Sequence, residues 1–406
     1  MPRATGSLMR SHSTAGVPIP LSHPFSPPVP EGALLLTGAT GFVGMEVLAR
    51  VLERSDRHVV ALIRAEDDDR AAERLAATLE TSCGEAGAYA DRVTAVAGDI
   101  TAPRLGLGAR WEPLAERVGA IVHGAASVAF DLSLEESRRI NVDGTRQMLD
   151  FAAACPDLER FTYVSTAYVA GDRRGTVYED DPGGGARFRN AYERTKHEAE
   201  RLVAARGDEI EVTIVRPSII VGDHRTGWTA AFNVLYAPLR AFEAGIIPVV
   251  PARKRSPVDV VPVDYVADAV HALAEAPEAA GQTFHIVAGS HASTVGEIVR
   301  MAGARFTARQ PRIVPPVAYR AVIGRIVEKR APPSARRLLA SNEVYFPYFE
   351  MRVRYDDARA RAILEPQGIT ATPLRSYFDR LMDYAQAAQW GRREVARTRA
   401  PSLVAH

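Results

Sequence analysis

Ala33-Leu34-Leu35-Leu36-Thr37-Gly38-Ala39-Thr40-Gly41-Phe42-Val43-Gly44 is the stretch that sets the architecture. A short apolar run ends in glycines spaced G-x-x-G-x-x-G, and Val43–Leu52 continues with helical spacing. Gly38 permits the tight turn, Gly41 lets the backbone approach a pyrophosphate, and Gly44 lets the helix pack close to the strand. The helix start then offers unpaired N–H groups to a diphosphate. Gly38, Thr40, Gly41, Phe42, Val43 and Gly44 are therefore candidate cofactor-binding residues.

The same alternation continues outward from this turn. His58–Ile63, Val93–Ala97, Ala120–His123, Phe161–Val164 and Glu211–Val215 read as further strands. Ala71–Leu79, Glu135–Ala153 and Tyr192–Ala205 read as the helices between them. Continuous apolar strands alternating with helices predict a parallel sheet covered on both faces, and right-handed crossovers make it doubly wound. The fold class is thus α/β, a doubly wound (Rossmann) sheet over residues 31–225, with a smaller C-terminal substrate lobe over 226–390. A segment around 258–290 is expected to return to the sheet domain. Within the lobe, Trp228–Ala244, Val266–Ala274 starting near Asp264, Thr294–Ala302, Asp357–Leu364 and Pro373–Gln389 read as helices. Residues 1–30 read as a disordered Pro-rich tail, and 391–406 as a second tail.

The chain has 406 residues, is 47% hydrophobic and carries a formal net charge of +1, so no global field draws it to nucleic acid. Its two cysteines, Cys83 and Cys155, lack metal-ligand spacing and read as free thiols, and no metal site is expected. No apolar run follows the basic residues Arg3 and Arg10, and no apolar stretch is long enough to cross a bilayer. The expectation is a cytoplasmic protein, with peripheral membrane contact left open. Residues 305–340 are basic, with Arg336 and Arg337 among nine cations against Glu328.

The second strand ends in Leu62-Ile63-Arg64-Ala65. A carboxylate there would accept from an adenosine ribose; a guanidinium instead forks onto a 2′-phosphate, which predicts NADPH. Arg74 offers a second positive charge, its alternative being a solvated helix face. Asp99 and Ile100 follow the third strand, where an adenine amino group can be met.

Tyr192 and Lys196 form Y-x-x-x-K, which places both on one helix face. An ammonium beside a phenol is expected to lower its pKa toward acid–base use and to hold a nicotinamide ribose. Lys196 is one of only three lysines, with Lys254 and Lys329. Thr166 ends the fifth strand and is the first choice to hydrogen-bond a substrate oxygen, ahead of Ser165. Asn141 is a candidate to hold a water or backbone group in a proton relay, or else a structural polar residue.

Together with Ile121-Val122-His123-Gly124-Ala125-Ala126-Ser127-Val128-Ala129-Phe130 and Val215-Arg216-Pro217-Ser218, these residues resemble the extended short-chain dehydrogenase/reductase superfamily. More narrowly, they resemble its thioester-reductase branch, which includes male-sterility-type fatty acyl-CoA reductases and the terminal reductase domains of carboxylic acid reductases and nonribosomal peptide synthetases. The resemblance spans about residues 33–290. It implies a catalytic triad of Thr166, Tyr192 and Lys196, Ala125 and Ala126 along the cofactor, and Pro217 and Ser218 against the nicotinamide. It implies NADPH-dependent reduction of an acyl-CoA or carrier-bound acyl thioester to aldehyde, and on to alcohol by a second hydride. His123 matches a family position but reads as a packed strand-end histidine. Rival readings are a ketone or aldehyde reductase, a nucleotide-sugar epimerase, and a non-catalytic NADP sensor.

Overall fold

The computed structural model describes residues 29–84, 86–183, 187–232, 234–306, 310–319, 345–395 and 397. Most of the basic segment 305–340, including Arg336 and Arg337, lies outside the described residues, as does residues 1–28 of the N-terminal tail. Val29, at that tail's end, is buried against the sheet core.

Seven parallel strands form one sheet. The strands β1 (Ala33–Thr37), β2 (Val59–Ile63) and β3 (Val93–Ala97) run outward in that order. On the other side of β1 lie β4 (Val118–His123), β5 (Arg160–Val164), Val212–Pro217 and finally Thr283–Ile286. Strand order therefore reverses between β1 and β4, and a crevice opens beyond their carboxyl ends. β1, β2 and Val212–Pro217 are buried at every residue, as strands covered by helices on both faces must be. Helix α1 (Phe42–Arg54) follows the glycine turn and packs on Val263–Glu275; α2 (Asp68–Cys83) packs against β3.

The seventh strand belongs to the returning segment and has no counterpart in the sequence reading. Phe284 and Ile286 are fully buried, but His285 between them breaks the apolar run. A second core unites Tyr168, Leu239, Phe242, Ile298, Tyr348 and Phe378. Small pairings frame it, among them Arg174–Val177 parallel to Arg352–Tyr355 and Ile219–Val221 parallel to Val260–Pro262.

The helix expected over Trp228–Ala244 is shorter, spanning Tyr236–Glu243. Pro238 explains this: a helix from residue 228 would bury it in the interior, whereas a start at Tyr236 puts it in the first turn, where its missing N–H costs nothing. Upstream, Thr229 Oγ1 exchanges hydrogen bonds with the backbone of Ala231, a local alternative to the helix. The helix expected over Glu135–Ala153 contains a π turn at Arg139–Asp143, between Leu134–Arg138 and Gly144–Ala154. The helix expected to start near Asp264 starts at Val263, and the Asp264 carboxylate binds the backbone N–H and imidazole of His224. Among the described residues no helix is long and apolar enough to cross a membrane.

The His224–Asp264 pair joins the loop after Ile219–Val221 to Val263–Glu275, and Arg380 of the C-terminal helix donates to the His224 carbonyl at 2.8 Å. The Asp264 hydrogen bond raises the His224 pKa above the ordinary 6.5. The fold therefore favours the protonated ring, and its stabilisation is complete below pH 6.5 and fades as pH rises through the raised value. With the His224 ring partly open to solvent, this amounts to about 0.2–1 kcal/mol. His224→Gln should therefore lower the melting temperature below pH 6.5 and converge on wild type in alkaline buffer. A thermal melt series across pH checks the sign.

Candidate active site

The glycine turn is built as its spacing requires. Gly38 has φ +79°, and a Cβ there would sit 2.8 Å from the Ala125 nitrogen. A Cβ on Gly44 would lie 2.0 Å from the Gly38 carbonyl oxygen, so the first turn of α1 can close on the loop only as glycine. The N-cap residue Gly41 makes no side-chain hydrogen bond, which leaves the first-turn N–H groups of α1 available to an anion.

A buried network fixes the loop after β4 across from this turn. The Thr145 hydroxyl spends its proton on the Asn141 carbonyl at 2.7 Å, so His123 must donate from Nε2 to Thr145 Oγ1 at 3.1 Å. His123 Nδ1 is then an acceptor for the Thr37 hydroxyl at 2.7 Å, and Thr37 Oγ1 accepts from the Ala125 N–H at 3.2 Å. Burial and the nearby Lys196 charge hold the His123 pKa down at about 3. A ring that stays neutral, with both nitrogens committed, is a packed strand-end histidine and positions Ala125.

The cleft beyond β1 and β4 opens to solvent and is lined by Val43, Gly44, Ala126, Thr166, Tyr192, Lys196, Pro217 and Ser218. Five elements thus deliver their residues to one place. Asn190 caps the helix Ala191–Ala205 by accepting from the Glu193 N–H, which sets the phase of Tyr192 and Lys196. Thr166 is buried, accepts from the Tyr168 N–H and donates to the Pro217 carbonyl at 3.3 Å. The Ser165 hydroxyl is held by Glu200 Oε2 at 2.5 Å, whereas Thr166 holds the Pro217 carbonyl only at the longer 3.3 Å and sits beside the Tyr192 phenol.

Lys196 Nζ donates to the Val164 carbonyl at 2.7 Å and lies 4.2 Å from the Tyr163 ring centre. Burial lowers its pKa to about 7, against the attraction of Glu200. The Tyr192 phenol is pushed up to about 12 by burial, with the Thr166 hydroxyl pulling the other way. This corrects the expectation that the ammonium lowers the phenol pKa: Lys196 is turned to Val164 and Tyr163, and desolvation dominates. A phenol so shifted is fully protonated near neutral pH, the state a proton donor needs.

Other candidates surround the cleft. Arg74 donates to the Arg64 backbone carbonyl and reaches Thr40 Oγ1 at 3.4 Å, so its guanidinium lies at the glycine turn, next to the end of β2. Neither arginine has a carboxylate partner among the described residues, and the Arg74 guanidinium is exposed. Asp99 Oδ1 is engaged by the N–H and hydroxyl of Thr101, and Ile100 packs where a Cβ on Gly144 would touch it. Asn141 does not line the cleft. Its amide bonds both backbone groups of Ser127 and the Thr195 hydroxyl, anchoring the loop that carries Ala125 and Ala126.

Three features are absent from the sequence reading. Glu200 and Arg216 form a buried ion pair at 2.5 Å, and the guanidinium also donates to the Asp181 carbonyl at 2.9 Å. Phe130, Tyr345 and Tyr348 make an aromatic wall: the Phe130 ring lies 5.8 Å from Tyr192 and stacks on Tyr348 at 5.6 Å. Arg397, expected in a tail, binds both oxygens of the buried Glu46 in α1 and lies over the Trp228 ring at 4.6 Å.

A doubly wound sheet with this turn, and with Thr166, Tyr192 and Lys196 on one cleft, has the architecture of the extended short-chain dehydrogenase/reductases. The family model described as "Male sterility protein" matches residues 36–270, and the chain belongs to that family. It is 38% identical over 237 residues to an isonitrile lipopeptide synthase of Streptomyces coeruleorubidus, covering 56% of this chain and 16% of that protein. It is 28% identical over 277 residues to fatty acyl-CoA reductase 1 of Xenopus laevis, covering 59% of this chain and 54% of that one. The chain thus spans only part of the length of these curated relatives. Among solved structures, the terminal R domain from a myxalamid PKS-NRPS biosynthetic pathway superposes with TM-score 0.78 at 26% identity, over 91% of this chain and 93% of that one.

Proposed function

We propose that this chain reduces an acyl thioester to an aldehyde, using NADPH. The observation that carries the reading is the convergence of Thr166, Tyr192 and Lys196 in one cleft with the glycine turn. Relatives named as a lipopeptide synthase and a fatty acyl-CoA reductase support a thioester as the substrate class.

The residues fit a nicotinamide dinucleotide. Gly38, Gly41 and Gly44 leave room for a diphosphate at the start of α1, Arg64 and Arg74 offer unpaired charge for a 2′-phosphate, and Pro217 and Ser218 floor the ring end of the cleft. When bound, the cofactor supplies the hydride. Tyr192 gives its proton to the carbonyl oxygen as charge develops there, and Thr166 steadies that oxygen with a hydrogen bond. The carbon–sulfur bond then breaks, so that thioester, NADPH and one proton become aldehyde, thiol and NADP⁺. Lys196 would hold the nicotinamide ribose of the bound cofactor, with Glu200 supporting its charge. The acyl donor arrives on coenzyme A or on a carrier protein, and Phe130, Tyr345 and Tyr348 form the wall it meets.

The test is NADPH consumption with acyl thioesters, measured against ketones, aldehydes and nucleotide sugars, with products identified by mass. Turnover confined to ketones or sugars would instead favour the general reductase or epimerase. The cofactor preference has its own test. Replacing either Arg64 or Arg74 with alanine removes a charge-assisted bond worth about 1.5–3 kcal/mol, so KM for NADPH should rise roughly 10–100-fold while KM for NADH stays put. Equal changes for both cofactors would place the 2′-phosphate elsewhere.

A further inference from the structure

The two-stranded parallel sheet Arg174–Val177/Arg352–Tyr355 has a face unlike the rest of the surface. Arg352 pairs in register with Arg174, and Arg354 with Thr176. Residues in register point to the same side, and Val353, Tyr355 and Val177 on the other side are buried. Arg174, Arg352 and Arg354 are exposed together, and none has a hydrogen bond or ion pair among the described residues. Like charges directly opposite one another in a sheet are destabilising. The arrangement contrasts with Arg138, Arg173, Arg189 and Arg359, each held by a carboxylate. Tyr178, next along the strand, is 56% exposed, one of the few large hydrophobic side chains left open to solvent. Arginine beside tyrosine is the composition of a protein interface.

The sheet is also close to the chemistry. Arg352 follows Tyr348 by four residues, so the two lie within about 14 Å of each other. Tyr348 stacks on Phe130, which touches Tyr192. Strand Arg174–Val177 leaves the turn that begins at Thr166.

We propose that Arg174, Arg352, Arg354 and Tyr178 form the docking face for an acidic carrier protein that presents the thioester to the cleft. This rests on the thioester reading above. A free phosphate is matched by convergent donors in a concavity, and this face is the outer side of a sheet. Lipid recognition takes clusters of about 4–8 basic residues, more than the three here. With a net charge of only +1, attraction of an acidic partner has to be local.

The experiment compares three forms of one acyl group: on a stand-alone acidic acyl carrier protein, on coenzyme A, and on pantetheine without phosphate. Wild type and the Arg174→Glu/Arg352→Glu/Arg354→Glu variant are assayed for NADPH consumption, with co-sedimentation on anionic vesicles as a control. The expected result is a rise on the order of tenfold or more in KM for the carrier-bound substrate, with kcat kept and the pantetheine thioester unaffected. Tyr178→Ser should raise the same KM without a charge change. The proposal is overturned if wild type prefers the carrier form no more than the pantetheine form. It is equally overturned if the variant loses all three substrates alike, loses only coenzyme A, or loses only vesicle binding. Absence of turnover with every thioester would instead overturn the thioester reading.

Discussion

Tyr192→Phe should lower kcat by about 10²–10⁴-fold, the range spanned by loss of one general acid, while the dissociation constant for NADPH stays within about twofold. The phenol has no other structural commitment as strong as its place in the cleft: its ring rests on Phe130, and phenylalanine keeps that contact. What disappears is the one O–H placed beside Thr166 with its proton held firmly by burial. The pH profile adds a signature. Burial sets the phenol at about 12, so wild-type activity should show no loss from this group between neutral pH and pH 9 or so. Fluorescence titration with NADPH and a stopped-flow rate separate the two effects. A variant that binds NADPH poorly but turns over normally would assign Tyr192 to binding instead.

The second large effect is on stability. Arg216 satisfies Glu200 deep in the protein, and it also donates to the backbone of Glu179 and Asp181. His285 donates from Nδ1 to the Asp356 carbonyl at 2.6 Å, so its Nε2 is free to accept from Arg216 at 3.4 Å. Arg216→Met should therefore cost about 3–5 kcal/mol, because it leaves a buried carboxylate with the Ser165 hydroxyl as its remaining hydrogen bond among the described residues. Adding Glu200→Leu should recover most of that stability, since an apolar pair can replace a buried ion pair. Activity should not recover with it. Glu200 is the charge that opposes desolvation of Lys196, and without it the ammonium loses its proton more readily. Chemical denaturation and activity, measured on the same three variants, separate the two roles.

The sheet domain was legible because its physics is periodic. Strands buried on both faces must be continuously apolar, and α1 must begin where glycine lets it close on the loop, so residues 33 to 215 announce themselves. The rest was hidden for identifiable reasons. The strand Thr283–Ile286 carries His285, whose polarity is answered by Arg216, Asp356 and Glu179, contacts no local pattern can reveal. Pro238 marked the true helix start at Tyr236 but is easily read as an interior residue of an amphipathic helix. The π turn at Arg139–Asp143 leaves no compositional trace, although it presents Asn141 to Ser127.

The candidate site shows the same division. Tyr192, Lys196 and the glycines stand out by their spacing and Thr166 by its place at the end of a strand, and the fold brings them to one cleft. Arg74 was ambiguous until its contact with Thr40 placed it at the turn. The aromatic wall was not readable, since Phe130 and Tyr348 are far apart in sequence and meet only in the fold. Arg397 was out of reach altogether: nothing near it predicts a contact with Glu46 of the first helix.

The central claim is that Thr166, Tyr192 and Lys196 act on a thioester carbonyl beside a reduced nicotinamide. It is tested most directly with NADPH deuterated at the transferable C4 position, an acyl thioester, and mass analysis of the products. The account predicts an aldehyde carrying one deuterium on its carbonyl carbon and an equivalent of free thiol, both lost with Tyr192→Phe. Thiol release without deuterium in the acyl product, or a label transfer that persists undiminished in Tyr192→Phe, would contradict it.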